Sequence, residues 1–141
     1  MKNRFLFLLT VLVLSMSAHV FAAEKNVKPF VIPELREWKG ATGEFTITEA
    51  TKVVYPAKQQ ELAEVAKLFA QDYKKMFGIE LQVVEGKAAK GDIQLSLKNN
   101  KKIGTEGYIV NIAASVKIDA NTMRGAIWAT RTLLQIAEQN N

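Results

Sequence analysis

Carboxylates are the side chains in this sequence that could do chemistry, because two of them a few ångströms apart can hydrolyse a glycosidic bond. The best placed are Asp92, Glu106 and Asp119, each at the start or end of an alternating apolar segment. At such positions near turns, a carboxylate usually caps the turn or meets solvent. The sequence therefore predicts no catalytic residue among them.

Residue types exclude other common chemistries. The chain has no cysteine, which removes thiol catalysis and thiolate metal sites. Its single histidine, His19, lies in a segment that we expect to be cleaved off, so no imidazole remains for general base catalysis or zinc. The glycine pairs at 40–43 and 104–107 lack the further glycines and the lysine of phosphate-binding loops. We expect no cofactor and no metal.

Trp38 is a candidate sugar contact. It lies in a loop of turn composition, where Glu34 and Glu37 flank Arg36. Acidic side chains beside a tryptophan could line a sugar-binding surface. An ion pair at the edge of the loop, beside a tryptophan that packs into the core, accounts for the same residues more simply.

A second tryptophan lies between two arginines in the last helical segment. Arg124, Trp128 and Arg131 are spaced four and three residues apart, which places them on one helix face. Trp128 could cover the end of a sheet while the arginines extend into water. Alternatively, this face could dock on another domain, because tryptophan and arginine are enriched at interfaces. These residues form the candidate domain interface.

Residues 1–22 have the pattern of a signal peptide. Lys2 and Arg4 precede an apolar run at 5–16, and a short segment at 20–22 fits a cleavage site. The alternative, a membrane-anchoring helix, requires about 18–20 apolar residues, and this run is shorter. Without cysteine the chain has no site for lipid attachment at the cleavage point. We expect a periplasmic or secreted protein that is not membrane-bound after cleavage.

The charge of the chain does not predict binding to nucleic acid. The formal net charge of +5 includes two positive charges in the predicted signal peptide, so the remainder is only mildly basic. A groove for single-stranded nucleic acid would alternate charge with stacking aromatic rings. Few aromatic residues separate the lysines of the predicted loops, which are Lys87, Lys90, Lys98, Lys101 and Lys102. We expect these lysines to be solvated.

Residues 23–141 are expected to form one domain of the α+β class. Alternating apolar residues predict strands at 44–48, 51–55, 79–84, 92–97, 108–112 and 116–120, and the proline-flanked run 29–33 fits an edge strand or a fixed extended arm. Helical spacing predicts a helix at 58–77, ended by Gly78, with an apolar face of Leu62, Val65, Phe69, Tyr73 and Met76. It predicts a second helix at 123–138, capped by Asn121 or Thr122, with an apolar face of Met123, Ile127, Thr130, Leu134 and Ala137. Because each strand buries one side, we expect a two-layer sandwich, with a mostly antiparallel sheet and both helices on one face.

The closing segments of the chain resemble a known family. The motif that starts at Glu106 (EGYIVNI), the segment RGAIWA from Arg124 and RTLLQI from Arg131 are similar to the end of the non-catalytic N-terminal domain of family 20 glycoside hydrolases, the β-N-acetylhexosaminidases. The resemblance covers about residues 28–138. Similar domains also precede the barrels of family 84 N-acetylglucosaminidases and of α-glucuronidases. The family helix often has glycine where Ala129 stands and glutamine where Arg131 stands.

The resemblance implies a function for the protein from which this domain comes. Family 20 enzymes hydrolyse terminal non-reducing N-acetylhexosamine residues in a (β/α)8 barrel that follows this domain, with an adjacent aspartate and glutamate and the acetamide of the substrate as nucleophile. This chain lacks that barrel, so we expect it to be non-catalytic and truncated, with the barrel of the same polypeptide as its partner. One alternative is a stand-alone periplasmic module that binds N-acetylhexosamine-containing glycans, and another is an independent hydrolase.

Overall fold

The computed structural model of the protein describes residues 24–140, which form seven regular elements. The predicted signal peptide lies outside the described residues. Neither helix of the described part combines the length and hydropathy that crossing a membrane requires. In chain order the elements are β1 (Lys52–Tyr55), α1 (Leu62–Phe77), β2 (Gln82–Glu85), β3 (Ile93–Leu97), β4 (Tyr108–Ile112), β5 (Val116–Ala120) and α2 (Met123–Gln139).

The strands form one mixed sheet in the order β2-β1-β3-β5-β4. β1 is parallel to β2 and to β3, β3 is parallel to β5, and only the β4 and β5 hairpin is antiparallel within residues 24–140. The prediction of a mostly antiparallel sheet is therefore wrong. Alternation of apolar and polar residues indicates that one face of a strand is covered. Whether neighbouring strands are parallel or antiparallel depends on the segments that connect them. Helix α1 returns the chain to the starting end of β1, which makes β2 parallel to it.

Both helices pack on the same face of the sheet and against each other, which confirms the α+β class and the two-layer sandwich. Between the layers lies a continuous core of side chains that point from the strands to the helices. Its fully buried members include Val53, Ile93, Leu95 and Ile118 from the sheet, Leu62 and Phe69 from α1, and Ala126 and Ala129 from α2.

Helix α1 begins four residues later than the spacing predicts and ends where predicted. The Gln59 side chain makes a bidentate contact with the backbone of Leu97, accepting from its N–H at 2.8 Å and donating to its C=O at 2.9 Å. This contact ties Gln59 to the end of β3. The residues around Gln59 therefore form turns, and the helix begins only after them. Gly78 ends α1 in the left-handed conformation, with φ 75°, and its N–H donates to the carbonyl of Lys74 at 2.8 Å.

The apolar face of α1 differs from the predicted one at its last turn. Val65, Phe69 and Tyr73 are buried at four-residue spacing, as expected. Met76 was expected to join them but is 45% exposed. Phe77, four residues after Tyr73, takes the place next to the core, and the two ring centroids are 4.5 Å apart.

Helix α2 begins as predicted, and Thr122 is its cap. The Thr122 hydroxyl accepts from the backbone N–H of Gly125 at 3.3 Å. The Asn121 side chain instead contacts the backbone of Asn100, accepting at 2.8 Å and donating at 2.7 Å. The buried face of α2 is rotated relative to the prediction, since Met123 and Ile127 are only partly buried. Its buried residues are Gly125, Ala126, Ala129, Thr130, Thr132, Leu133 and Leu134.

The predicted strand at 44–48 does not form, and the run at 29–33 does not form the edge strand that was one of its two predicted alternatives. Residues 44–48 have no strand partner, although Phe45 and Ile47 pack partly against the core. Residues 29–33 are not part of the sheet either; they form an extended arm, the second of the two predicted alternatives. This arm lies against α2, where the backbone of Phe30 and Ile32 bonds to the Gln139 and Gln135 side chains.

Candidate functional site

A groove of about 600 Å³ lies where the N-terminal arm, the start of β4 and the middle of α2 meet. Three separate parts of the chain build its walls, so the groove exists only after the domain has folded. Its lining residues are Ile32, Pro33, Glu106, Tyr108, Trp128, Arg131, Thr132 and Gln135.

Glu106 organises one rim of the groove. Its Oε1 accepts from Nη1 of Arg124 at 2.7 Å, and its Oε2 accepts from the indole Nε1 of Trp128 at 3.3 Å. The hydrogen bonds from Arg124 and then from Trp128 hold the pKa of the Glu106 carboxyl below its usual value. Trp128 is 46% exposed, so its ring is held by its polar edge while much of its apolar surface faces solvent.

A glycine in the first turn of α2 brings Glu106 to this position. A Cβ on Gly125 would lie 2.8 Å from the carbonyl oxygen of Gly107, so the first turn of α2 can approach the segment before β4 only with glycine there. The Thr122 hydroxyl donates to the carbonyl of Thr105 at 2.9 Å and fixes the same approach. The glycine of the RGA motif therefore places the carboxylate beside the arginine and the tryptophan that follow it.

The floor and far wall of the groove are closed by internal contacts. The hydroxyls of Tyr108 and Thr132 are 2.6 Å apart, and Thr132 is buried. Nη1 of Arg131 donates to Oδ2 of Asp72 on α1 at 2.5 Å, with both side chains about two-thirds buried. Arg131 therefore ties the two helices together as well as lining the groove.

The arm side of the groove is held by Gln135. The backbone N–H of Ile32 donates to Oε1 of Gln135 at 2.9 Å, and Nε2 of Gln135 donates to the carbonyl of Ile32 at 3.0 Å. Every polar side chain that lines the groove thus has a hydrogen-bond or ion-pair partner inside the domain. The surface left for a ligand consists mainly of the Trp128 ring, the Ile32 side chain and Pro33.

Residues 28–141 match the family model described as glycosyl hydrolase family 20, domain 2. The chain belongs to this family. The resemblance to the non-catalytic domain of family 20 glycoside hydrolases is thereby confirmed, and such domains usually sit with a catalytic domain in the same protein.

One relative of this family 20 domain is a lacto-N-biosidase of Bifidobacterium bifidum. It is 30% identical over 115 residues, which cover 79% of this chain and 10% of the relative. The chain therefore spans about a tenth of the length of this curated relative.

The structure brings the predicted interface residues of the family 20 domain together. Arg124 and Trp128 are joined through Glu106, and Arg131 lines the same groove. Trp38 lies outside the lining; it is 38% exposed, and its Nε1 donates to the carbonyl of Asn26 at 3.4 Å.

The two aspartates considered as catalysts, Asp92 and Asp119, stabilise the local structure of the family 20 domain. The carboxylate of Asp92 accepts from the backbone N–H groups of Ala89 at 2.7 Å and Lys52 at 3.2 Å, as expected of a turn cap. Asp119 accepts from the Ser96 hydroxyl at 2.5 Å. Within residues 24–140 no group of three or more potential ligands is arranged to hold a metal ion.

The loop that holds Trp38 contains an ion pair other than the predicted one. Nζ of Lys28 lies 2.6 Å from Oε1 of Glu34, so Glu34 pairs along the chain rather than with Arg36. The hydrogen bond and the positive charge of Lys28 lower the pKa of the Glu34 carboxyl.

Sequence reasoning missed the contributions of Gln135 and Tyr108, and it considered Glu106 only as a catalyst, a turn cap or a solvent-exposed side chain. A signal for Gln135 was present, because Gln139 follows it four residues later on the same helix face. The partner of these glutamines, the arm, is about 100 residues away in sequence. No local pattern connects the two.

Proposed function

We propose that this chain is the accessory domain of an exported β-N-acetylhexosaminidase. The parent protein hydrolyses terminal non-reducing N-acetylhexosamine residues, while this domain is non-catalytic and braces the catalytic barrel of the same polypeptide. Two observations support the proposal: the match of residues 28–141 to domain 2 of family 20, and the signal-peptide pattern of residues 1–22. The barrel docks on the groove face of α2.

The main support for the docking role is that the polar side chains of the groove form hydrogen bonds with other groups of the same domain. A sugar is recognised by polar groups that are free to bond its hydroxyls, and burying a sugar hydroxyl without a partner is unfavourable by roughly 1–3 kcal/mol. Here Glu106, Tyr108, Thr132 and Gln135 already bond within the domain. What remains is an apolar concavity beside a half-exposed tryptophan, and it suits an apolar side chain of a neighbouring domain.

A stand-alone glycan-binding module is the second candidate, and Trp128 is the observation in its favour. An exposed indole can stack on the apolar face of a pyranose ring, and an arginine and a carboxylate lie next to this one. In that case N-acetylhexosamine-containing glycans would be the partners, and binding would not require a catalytic domain.

The test begins with the codons that follow position 141. A barrel-encoding reading frame supports the accessory domain, whereas an immediate stop codon contradicts it. In the resulting polypeptide, Trp128→Ser should separate one calorimetric unfolding transition into two, because an interface tryptophan contributes about 2–4 kcal/mol. Trp38→Ser, outside the groove, is the matched control and should leave a single transition.

A titration of the 141-residue chain with chitobiose distinguishes the second candidate. The accessory-domain proposal expects no measurable heat. Binding that is lost in the Trp128→Ser variant and kept in the Trp38→Ser variant would instead establish the glycan-binding module.

A further inference from the structure

The N-terminal arm presents apolar side chains outward although the domain holds it in place. Val31 is only 2% exposed and packs inward. Its neighbours Phe30 and Ile32 are 77% and 70% exposed. An extended segment directs alternate side chains to opposite sides, so a segment with solvent on one side is expected to place polar residues there. This arm has large apolar residues on both sides.

Two glutamines of α2 clamp the backbone of the arm. Oε1 of Gln139 accepts from the N–H of Phe30 at 3.0 Å, and its Nε2 donates to the carbonyl of Phe30 at 2.6 Å. Gln135 makes the same pair of bonds to Ile32, at 2.9 and 3.0 Å. Residues four apart on a helix are separated by about 6 Å and residues two apart on a strand by about 6.6 Å, so the two spacings match.

The clamp settles what the arm can offer to a partner. The backbone N–H and C=O groups of Phe30 and Ile32 are occupied, so these residues contribute side chains rather than a new strand pairing. Nζ of Lys28 and the carboxylate of Glu34 neutralise each other at the ends of the arm. The outward surface is thus apolar, and the two charged side chains at its ends are paired with each other.

The arm is continuous with the groove. Ile32 and Trp128 both line the groove, and Phe30, two residues before Ile32 on the arm, is also mostly exposed. The match to the family model begins at residue 28, so the arm is part of the family domain rather than a tail before it. Domains of this family usually sit with a catalytic domain in the same protein, which supplies a large partner surface.

We propose that the arm is a docking segment, in which the clamp of Gln135 and Gln139 directs Phe30 and Ile32 against the catalytic domain of the same polypeptide. This inference rests on the proposed function and extends the docking face from α2 to the arm. Gln135 and Gln139 act as positioning residues, and the contact is made by Phe30 and Ile32.

The clamp is tested first in the polypeptide encoded by the full reading frame. The double variant Gln135→Leu and Gln139→Leu removes the amide groups while keeping side-chain size and helix propensity. Hydrogen exchange at the amides of Phe30 and Ile32 should become about tenfold faster, as expected for lost hydrogen bonds. Gln71→Leu, at an exposed position on α1, is the matched control and should leave the exchange unchanged. Unchanged exchange in the double variant would overturn the clamp.

The docking role is tested by Phe30→Ser with Ile32→Ser in the same polypeptide. Both side chains are mostly exposed within the domain, so the variant should fold, which far-UV circular dichroism checks. We expect two separate calorimetric transitions in place of one. If Trp128→Ser separates the transitions and the arm variant does not, the arm proposal fails while the proposed function stands. If neither variant separates them, the docking face of the proposed function fails as well.

Discussion

Gly107 gives the sharpest prediction about how the domain positions its groove. A Cβ at this residue would lie 1.8 Å from the carbonyl oxygen of Ile103 and 2.5 Å from its carbonyl carbon. Both neighbours are backbone atoms, so no side-chain rotation relieves the overlap. Gly107→Ala must therefore open the turn between residues 103 and 107. The same turn places Glu106 beside α2 in the native domain.

The size of the effect follows from two opposing terms. Overpacking against a fixed backbone destabilises by about 1–3 kcal/mol, and a separation of 1.8 Å argues for the upper part of that range. Replacing glycine also restricts the unfolded chain, which stabilises by about 0.4–1 kcal/mol. The net destabilisation is about 2 kcal/mol, which lowers the Tm of a domain of this size by roughly 8–12 °C.

The assay combines thermal unfolding with tryptophan fluorescence. Opening the turn displaces Glu106, so the emission of Trp128 should change in the folded variant as well as the Tm. Gly91→Ala is the control, because Gly91 has φ 90° with no atom within 4 Å of the added Cβ. It should lower the Tm through backbone strain alone and leave the emission unchanged. A Gly107→Ala variant with the wild-type Tm and emission would refute the reasoning.

Three further predictions concern the contacts around the groove. The pKa of Glu106 is lowered from 4.5, so its stabilising contribution is complete above pH 4.5 and is lost as the pH falls through the lowered value; the emission of Trp128 should titrate with a midpoint below 4.5, and Glu106→Gln should abolish the transition. The Arg131 and Asp72 pair is partly exposed, so a double-mutant cycle with Arg131→Met and Asp72→Asn should give a coupling of only about 0.5–1 kcal/mol in urea unfolding, and strict additivity would contradict the ion pair. Val31→Ala should destabilise the domain by about 1–2 kcal/mol in the same assay, because it removes two buried methyl groups, and an unchanged urea midpoint would contradict burial of the arm.

Much of the secondary structure could be predicted because it depends on neighbouring residues. Gly78 ends α1 in the left-handed conformation, and Thr122 begins α2 with its own hydroxyl. The β4 and β5 hairpin follows from two alternating segments with a short link. The errors in these elements are displacements at the ends, such as α1 beginning at Leu62, where the Gln59 side chain bonds to a distant strand.

The candidate site could be predicted only in part. Helical spacing placed Arg124, Trp128 and Arg131 on one face; Trp128 and Arg131 line the groove, and Arg124 binds Glu106 at its rim. The roles of Glu106 and Gln135 could not be found in the same way, because each depends on a partner from another element.

The sequence by itself determined the family, the fold class, the end of α1 at Gly78 and the absence of thiol chemistry, because these follow from residue identity and from spacing within a few positions. Tertiary structure alone decided the parallel direction of the sheet, the place of the arm on α2 and the pairing of every polar side chain in the groove. These features join residues between 18 and 109 positions apart. Their physical origin is the path of the chain. Helix α1 returns the chain to the starting end of β1, so β2 runs parallel to β1. Folding of the whole domain then brings the arm, the turn before β4 and α2 into contact.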